Sequence, residues 1–327
     1  MKKIIKILGL AFLMVILVCG FSYLTDKTTY TNWKLTNNSP HKNEISWAAF
    51  EWGGDTLSGK YYDKASMQIP CRIKGLPNVF TFQFDLGADL TEVYENSFSS
   101  FYPLNESLKN KIKRLRSPLQ FWNNNKILKH LEISFGNYRA TNEITYLHRN
   151  YGEEIADPNL TDTFHLGTIG SDLFKNRILI IDYPKKQFAI LDSLPKEYAI
   201  NLINIEIDNN GNVILPMKIH NQFYRIAFDN GSSLFPIITE ANNISKFSTL
   251  PDTDTIEISS WGTKHSVTGR MIRDSFEIAG LKYSNVRVYT NHTGLGGYYL
   301  ADGVAGNALF WGKTIIIDFK NKKFGVK

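Results

Sequence analysis

Residues 79–88 read VFTFQFDLGA and residues 223–233 read FYRIAFDNGSS. Each is an alternating apolar strand that ends in Asp-x-Gly followed by a small residue. Just upstream lie QIPCRIKG at 68–75 and VILPMKIH at 213–220, each an apolar, proline-containing strand leading into a short turn. β-Branched and aromatic residues at a period of two, bounded by Gly, Asn and Pro, predict hairpins in both places. One Asp-x-Gly carries little information; two in matched context reveal a duplicated unit.

The duplication continues downstream. LGTIGSDLF at 166–174 precedes ILIIDYPKKQFAI at 178–190, and GVAGNALF at 303–310 precedes TIIIDFKNKKFGV at 314–326. Asp182 and Asp318 open the turns of these terminal hairpins and are read as turn residues, outside any site. The pattern predicts a mainly β, all-β chain of two related lobes, at 60–192 and 210–327, joined by a connection over 193–209. Residues 104–116 (LNESLKNKIKRLR) form the best helix candidate, with Leu104, Leu108, Ile112 and Leu115 near one face.

Ahead of the lobes, Lys2, Lys3 and Lys6 precede an uncharged apolar run from Ile7 to Leu24. Residues 1–24 therefore fit a membrane anchor, with a cleaved secretory signal or a lipoprotein site at Cys19 as open alternatives. All three put the body of the protein outside the cytoplasm, with residues 25–59 as a tether carrying a strand or two. The formal charge of +6 owes three of its positive groups to that terminus. No dense basic stripe remains, so no nucleic-acid partner is expected. Of the two cysteines, Cys19 lies in the apolar run and leaves Cys71 without an intramolecular mate. Cys71 reads as a small buried hydrophobe.

The paired motifs resemble the pepsin-like, bilobal and retropepsin-related aspartic peptidases over roughly residues 65–327. There, a strand ending in Asp-Thr/Ser-Gly is met by a later hydrophobic-hydrophobic-Gly segment. Asp85-Leu86-Gly87-Ala88 and Asp229-Asn230-Gly231-Ser232 stand for the first element. Leu166-Gly167 with Ile169-Gly170, and Gly303-Val304-Ala305-Gly306, stand for the second. The resemblance implies two pseudo-symmetric lobes flanking a cleft, with Asp85 and Asp229 as a catalytic pair. Gly87 and Gly231 would let the backbone turn sharply beside them, and Ser232 would support the second loop. Tyr138, on the hairpin around 133–142, would be the aromatic of a flap over the cleft, and residues 256–265 that flap's counterpart. Two close carboxylates share one proton, so one can act as base and the other as acid. Leu86 and Asn230 depart from the family, whose Thr or Ser there bonds across the two loops.

Little else competes. The seven histidines show no metal-ligand spacing, His165 and His220 read as structural, and no cofactor is expected. Two functions stay open. One is an extracytoplasmic, monomeric endopeptidase acting on polypeptide, with the membrane as a further partner through residues 7–24. The other is a catalytically weak or inactive module that holds an extended peptide in the same cleft.

Overall fold

A computed structural model describes residues 32–39, 44–114, 126–160, 162–295 and 301–327. The apolar segment 7–24 and Cys19 lie outside the described residues; among those described, no helix is long and apolar enough to cross a membrane. The described residues are mainly β, in three sheets of nine, six and ten strands.

Alternation in the sequence becomes alternation in burial. Along Phe80–Phe84, the rings of Phe80, Phe82 and Phe84 are fully buried, while Thr81 and Gln83 are only partly so. The isoleucine-rich strands differ, because they are buried on both faces. Ile178–Asp182 and Thr314–Asp318 pair antiparallel at the centre of the six-stranded sheet, with Ile180 opposite Ile316. Leu179, Ile181, Ile315 and Ile317 face the main core; Ile178, Ile180 and Ile316 face a second cluster with Trp47 and Tyr198. A continuous apolar run is what a strand covered on both sides requires.

The nine- and ten-stranded sheets follow one connection scheme. Phe80–Phe84 pairs antiparallel with Lys60–Ile73, as Gln222–Phe228 does with Val213–Ile219. Each then takes a parallel neighbour from much later in the chain, Phe164–Ile169 in one case and Gly303–Ala305 in the other. Those neighbours pair antiparallel with Glu92–Tyr94 and Ile237–Glu240. These pair parallel, in turn, with Tyr138–His148 and Val286–Asn291. The amides of Asp85 and Asp229 donate to the carbonyls of Ile169 and Ala305, each at 3.0 Å. A Cβ on Gly170 would stand 2.6 Å from the Leu90 carbonyl, and one on Gly306 only 1.8 Å from that of Ser232. Glycine ends both late strands because the Asp loops pass directly against them.

Three regions differ from expectation. The 104–116 helix is short. Asn105 accepts from the Ser107 amide at 3.0 Å and starts a helix over Glu106–Lys111. Ile112–Arg114 then turns extended to pair with residues 126–128. Only Leu108 of the apolar face is buried within that helix, so its burial could not hold a longer one. The described part of 25–59 carries three strands where a strand or two was expected: Lys34–Asn37, Ala48–Ala49 and Glu51–Leu57 each join a sheet. The 193–209 connection likewise contributes Ile203–Asn204 and Glu206–Ile207 as edge strands.

Tyr138 is a core residue and not a flap aromatic. It is 1% exposed; its hydroxyl donates to the Ser46 carbonyl and accepts from the Ile190 amide at 2.9 Å. The adjoining turn at Gly136 rests on Ala48. Replacing Tyr138 with Phe leaves the buried Ile190 amide unpaired and should cost about 1–3 kcal/mol of unfolding free energy in urea titrations. Any function measured per folded molecule should be unchanged.

Candidate functional site

The two Asp-x-Gly loops, distant in sequence, meet. Oδ1 of Asp85 accepts from the amides of Gly87 (2.9 Å) and Ala88 (3.1 Å). Oδ1 of Asp229 accepts from Gly231 (2.7 Å) and also from Gly87 (3.1 Å). A single N–H thus serves both carboxyl groups. A Cβ on Gly231 would lie 2.4 Å from Cγ of Asp85. The two glycines differ in role: Gly87 donates to both acids, and Gly231 clears the space in which they approach.

Burial, first, pushes the pKa of Asp85 well above the usual carboxylate range. The charge of Asp229 and the hydrogen bond between the two groups add to the rise, while the Gly87 and Ala88 amides oppose it. Asp85 is 7% exposed and Asp229 is half-buried. The more enclosed acid therefore favours the neutral form.

Asn230 makes the cross-loop link for which the sequence offered no hydroxyl. Its side chain is fully buried, and its Oδ1 accepts from the Leu86 amide at 2.6 Å. The Asn230 carbonyl in turn receives Nδ2 of Asn307 (2.7 Å) and Oγ of Ser233 (3.0 Å). Oδ1 of Asn307 accepts from the Tyr183 hydroxyl at 2.5 Å. The chain of polar groups runs from the six-stranded sheet through the Asp229 loop to the Asp85 loop. Leu86, the residue matching Asn230, is buried in the main core instead. One loop is anchored by hydrogen bonds and the other by apolar packing. Ser232 contributes through its backbone, its amide closing the turn on the Asp229 carbonyl at 3.2 Å; its Oγ is buried with no hydrogen-bond partner among the described residues.

Sequence reading missed Tyr183 and Asn307, and missed Asp172. Oδ1 of Asp172 accepts from the Thr91 amide (2.8 Å) and hydroxyl (2.6 Å), and its Oδ2 from Nε1 of Trp33 (2.9 Å). The available signal was divergence between the copies, GSDLF at 170–174 against GNALF at 306–310. Each odd polar residue there serves a partner its counterpart lacks. Cys71 is buried as expected, His220 pairs with Asp274 at the surface, and no metal-binding group of His, Cys, Asp and Glu occurs among the described residues. Compared with models of known protein families and with curated proteins, the chain has no match.

Burial also raises the pKa of Asp172, from 3.8 to about 7, its hydrogen bonds notwithstanding. Asp85 and Asp172 both bind a proton more tightly in the folded chain than in the unfolded one. Their stabilising effect is complete in acid and is lost as pH rises; for Asp172 the window runs from about pH 4 to about pH 7. Urea midpoints should fall across that range, by up to about 4 kcal/mol in unfolding free energy for Asp172. Asp172→Asn should flatten the slope.

Proposed function

We propose that this chain is an aspartic endopeptidase of the bilobal, pepsin-like kind, acting on polypeptide outside the cytoplasm. The observation that carries the reading is the Gly87 amide held jointly by the carboxylates of Asp85 and Asp229. The shared connection scheme of the two large sheets supports a pair of pseudo-symmetric lobes. Because both loops belong to one chain, a monomer suffices to assemble the pair. The basic, then apolar, start of the sequence supports attachment to, or export across, a membrane.

The chemistry follows from the difference between the two acids. Asp229, the less enclosed, takes a proton from a water whose oxygen attacks the peptide carbonyl carbon. Asp85, held neutral by burial, gives its proton to the carbonyl oxygen. The tetrahedral diol then breaks its C–N bond. The proton on Asp229 passes to the leaving amine nitrogen, and a diol hydroxyl returns its proton to Asp85. No charge need build up on the carbonyl oxygen without a donor beside it. Asn230 keeps the loops in register for this exchange, doing with an amide what a hydroxyl does elsewhere.

Cleavage of a denatured protein, followed from acidic to neutral pH, tests the proposal. Activity should be highest in acid, blocked by pepstatin, and reduced at least about a hundredfold by either Asp85→Asn or Asp229→Asn. Undiminished cleavage in those variants would refute the assignment. Peptide binding without cleavage in the wild type would favour the non-catalytic module instead.

A further inference from the structure

Each acid loop is laced to the short 3-10 turn that follows its late strand, Ser171–Phe174 on the Asp85 side and Asn307–Leu309 on the Asp229 side. On the Asp229 side, Asn307 gives Nδ2 to the Asn230 carbonyl and takes the Tyr183 hydroxyl on Oδ1. The donor that completes this tie comes from beyond the ten-stranded sheet.

On the Asp85 side the tie falls one position later, on Asp172. The Ser171 amide donates to the Ala88 carbonyl at 2.8 Å. Oδ1 of Asp172 takes the amide and the hydroxyl of Thr91, whose Oγ accepts from the Gly170 amide at 3.1 Å. Oδ2 of Asp172 takes the indole N–H of Trp33. Ala308 stands at the matching position of the second turn, so this carboxyl has no twin.

Trp33 belongs to neither acid loop. It directly precedes Lys34–Asn37, a four-residue strand at the edge of the nine-stranded sheet that pairs with residues 138–141. Lys34, Thr36 and Asn37 are exposed; Trp33 and Leu35 are half-buried and pack on the main core. Nη2 of Arg177 donates to the Leu35 carbonyl at 3.4 Å. Within the body, this strand is the element closest in sequence to the apolar run 7–24.

Three uncharged donors serve the buried carboxyl of Asp172, and one of them is supplied by that strand. A buried acceptor that loses a donor is costly, and the cost is relieved by shifting whatever else it holds. What Asp172 and its neighbour Ser171 hold is the stretch 88–91, and the Ala88 amide donates to Oδ1 of Asp85. We propose that Trp33 is a positioning residue for the Asp85 carboxyl, acting through Asp172, so that the first strand of the body sets the geometry of the acid pair. Trp33 does for the Asp85 loop what Tyr183 does for the Asp229 loop. Displacing the first strand slackens the Ala88 amide, and events on the N-terminal side of the body are thereby felt at the acids. The inference rests on Asp85 and Asp229 being the catalytic pair.

Trp33→Phe keeps an aromatic ring and removes the N–H. The Ala88 amide opposes the rise in the Asp85 pKa, so a slackened amide should let Asp85 titrate at still higher pH. Carbon-13 NMR of the aspartate carboxyls in the full chain, with Asp85 assigned from Asp85→Asn, should show a shift of about 0.3 pH unit or more. Amide exchange over 178–182 should be unchanged, which tells a slackened loop from a loosened fold. In an Asp172→Asn background the same substitution should move Asp85 by less than about 0.1 unit. Cleavage of a denatured protein by Trp33→Phe should lose at least about threefold in kcat with KM unchanged. An unmoved Asp85 titration overturns the proposal, whether or not the protein cleaves anything, and so does a shift that persists in full with Asp172→Asn. A moved titration with kcat unaltered overturns the part of Trp33 in catalysis. A moved titration in a chain whose wild type cleaves nothing upholds the tie and refutes the catalytic pair alone.

Discussion

Two carboxyl groups set side by side away from water repel each other unless a proton remains between them, and much of this structure is arranged around that constraint. The Gly87 amide pointing at both oxygens, the missing side chain at Gly231 and the enclosure of Asp85 each make the close approach tolerable. None suffices alone. The amides of Gly87 and Ala88 offset part of the cost of burying Asp85, and the raised pKa of Asp85 favours its uncharged form beside Asp229. The same enclosure that disfavours ionisation of Asp85 fits it to donate a proton.

The approach is possible because strands distant in sequence are forced together. Each Asp follows a strand held between its own hairpin partner and a late parallel strand, and each late strand ends in a glycine too crowded for a Cβ. The six-stranded sheet joins the two halves through isoleucines buried on both faces. From it, Tyr183 and Asn307 pass the register on to the Asp229 loop. Rigidity at the acids is thus inherited from apolar packing elsewhere, and converted at the last step into hydrogen bonds.

The repeat made the strands, the acids and the crowded glycines legible in the sequence, because backbone conformation and burial leave periodic and compositional traces. What a side chain reaches across space to touch leaves none. Asn230 looked like a defect where a hydroxyl was wanted, yet its amide spans to the Leu86 backbone. Tyr138 looked like a surface aromatic on a hairpin, but the N-terminal strands cover it, and nothing local to residues 133–142 announces them. Trp33 and Asp172 find each other across more than a hundred residues. The helix expected over 104–116 failed for the opposite reason: its local period was real, but pairing with residues 126–128 claimed Ile112–Arg114, and residues 115 and 116 lie outside the described residues.

The pairing of residues 178–182 with 314–318 has a consequence for how the chain comes into being. Until the later segment has been synthesised, the earlier one presents a row of isoleucines with open backbone donors and acceptors along one side. A nascent chain in that state is adhesive, and the nearest object of the right shape is the same segment of another molecule. Production in a cell then becomes a race between completing one's own seam and borrowing a neighbour's, won by keeping emerging copies apart.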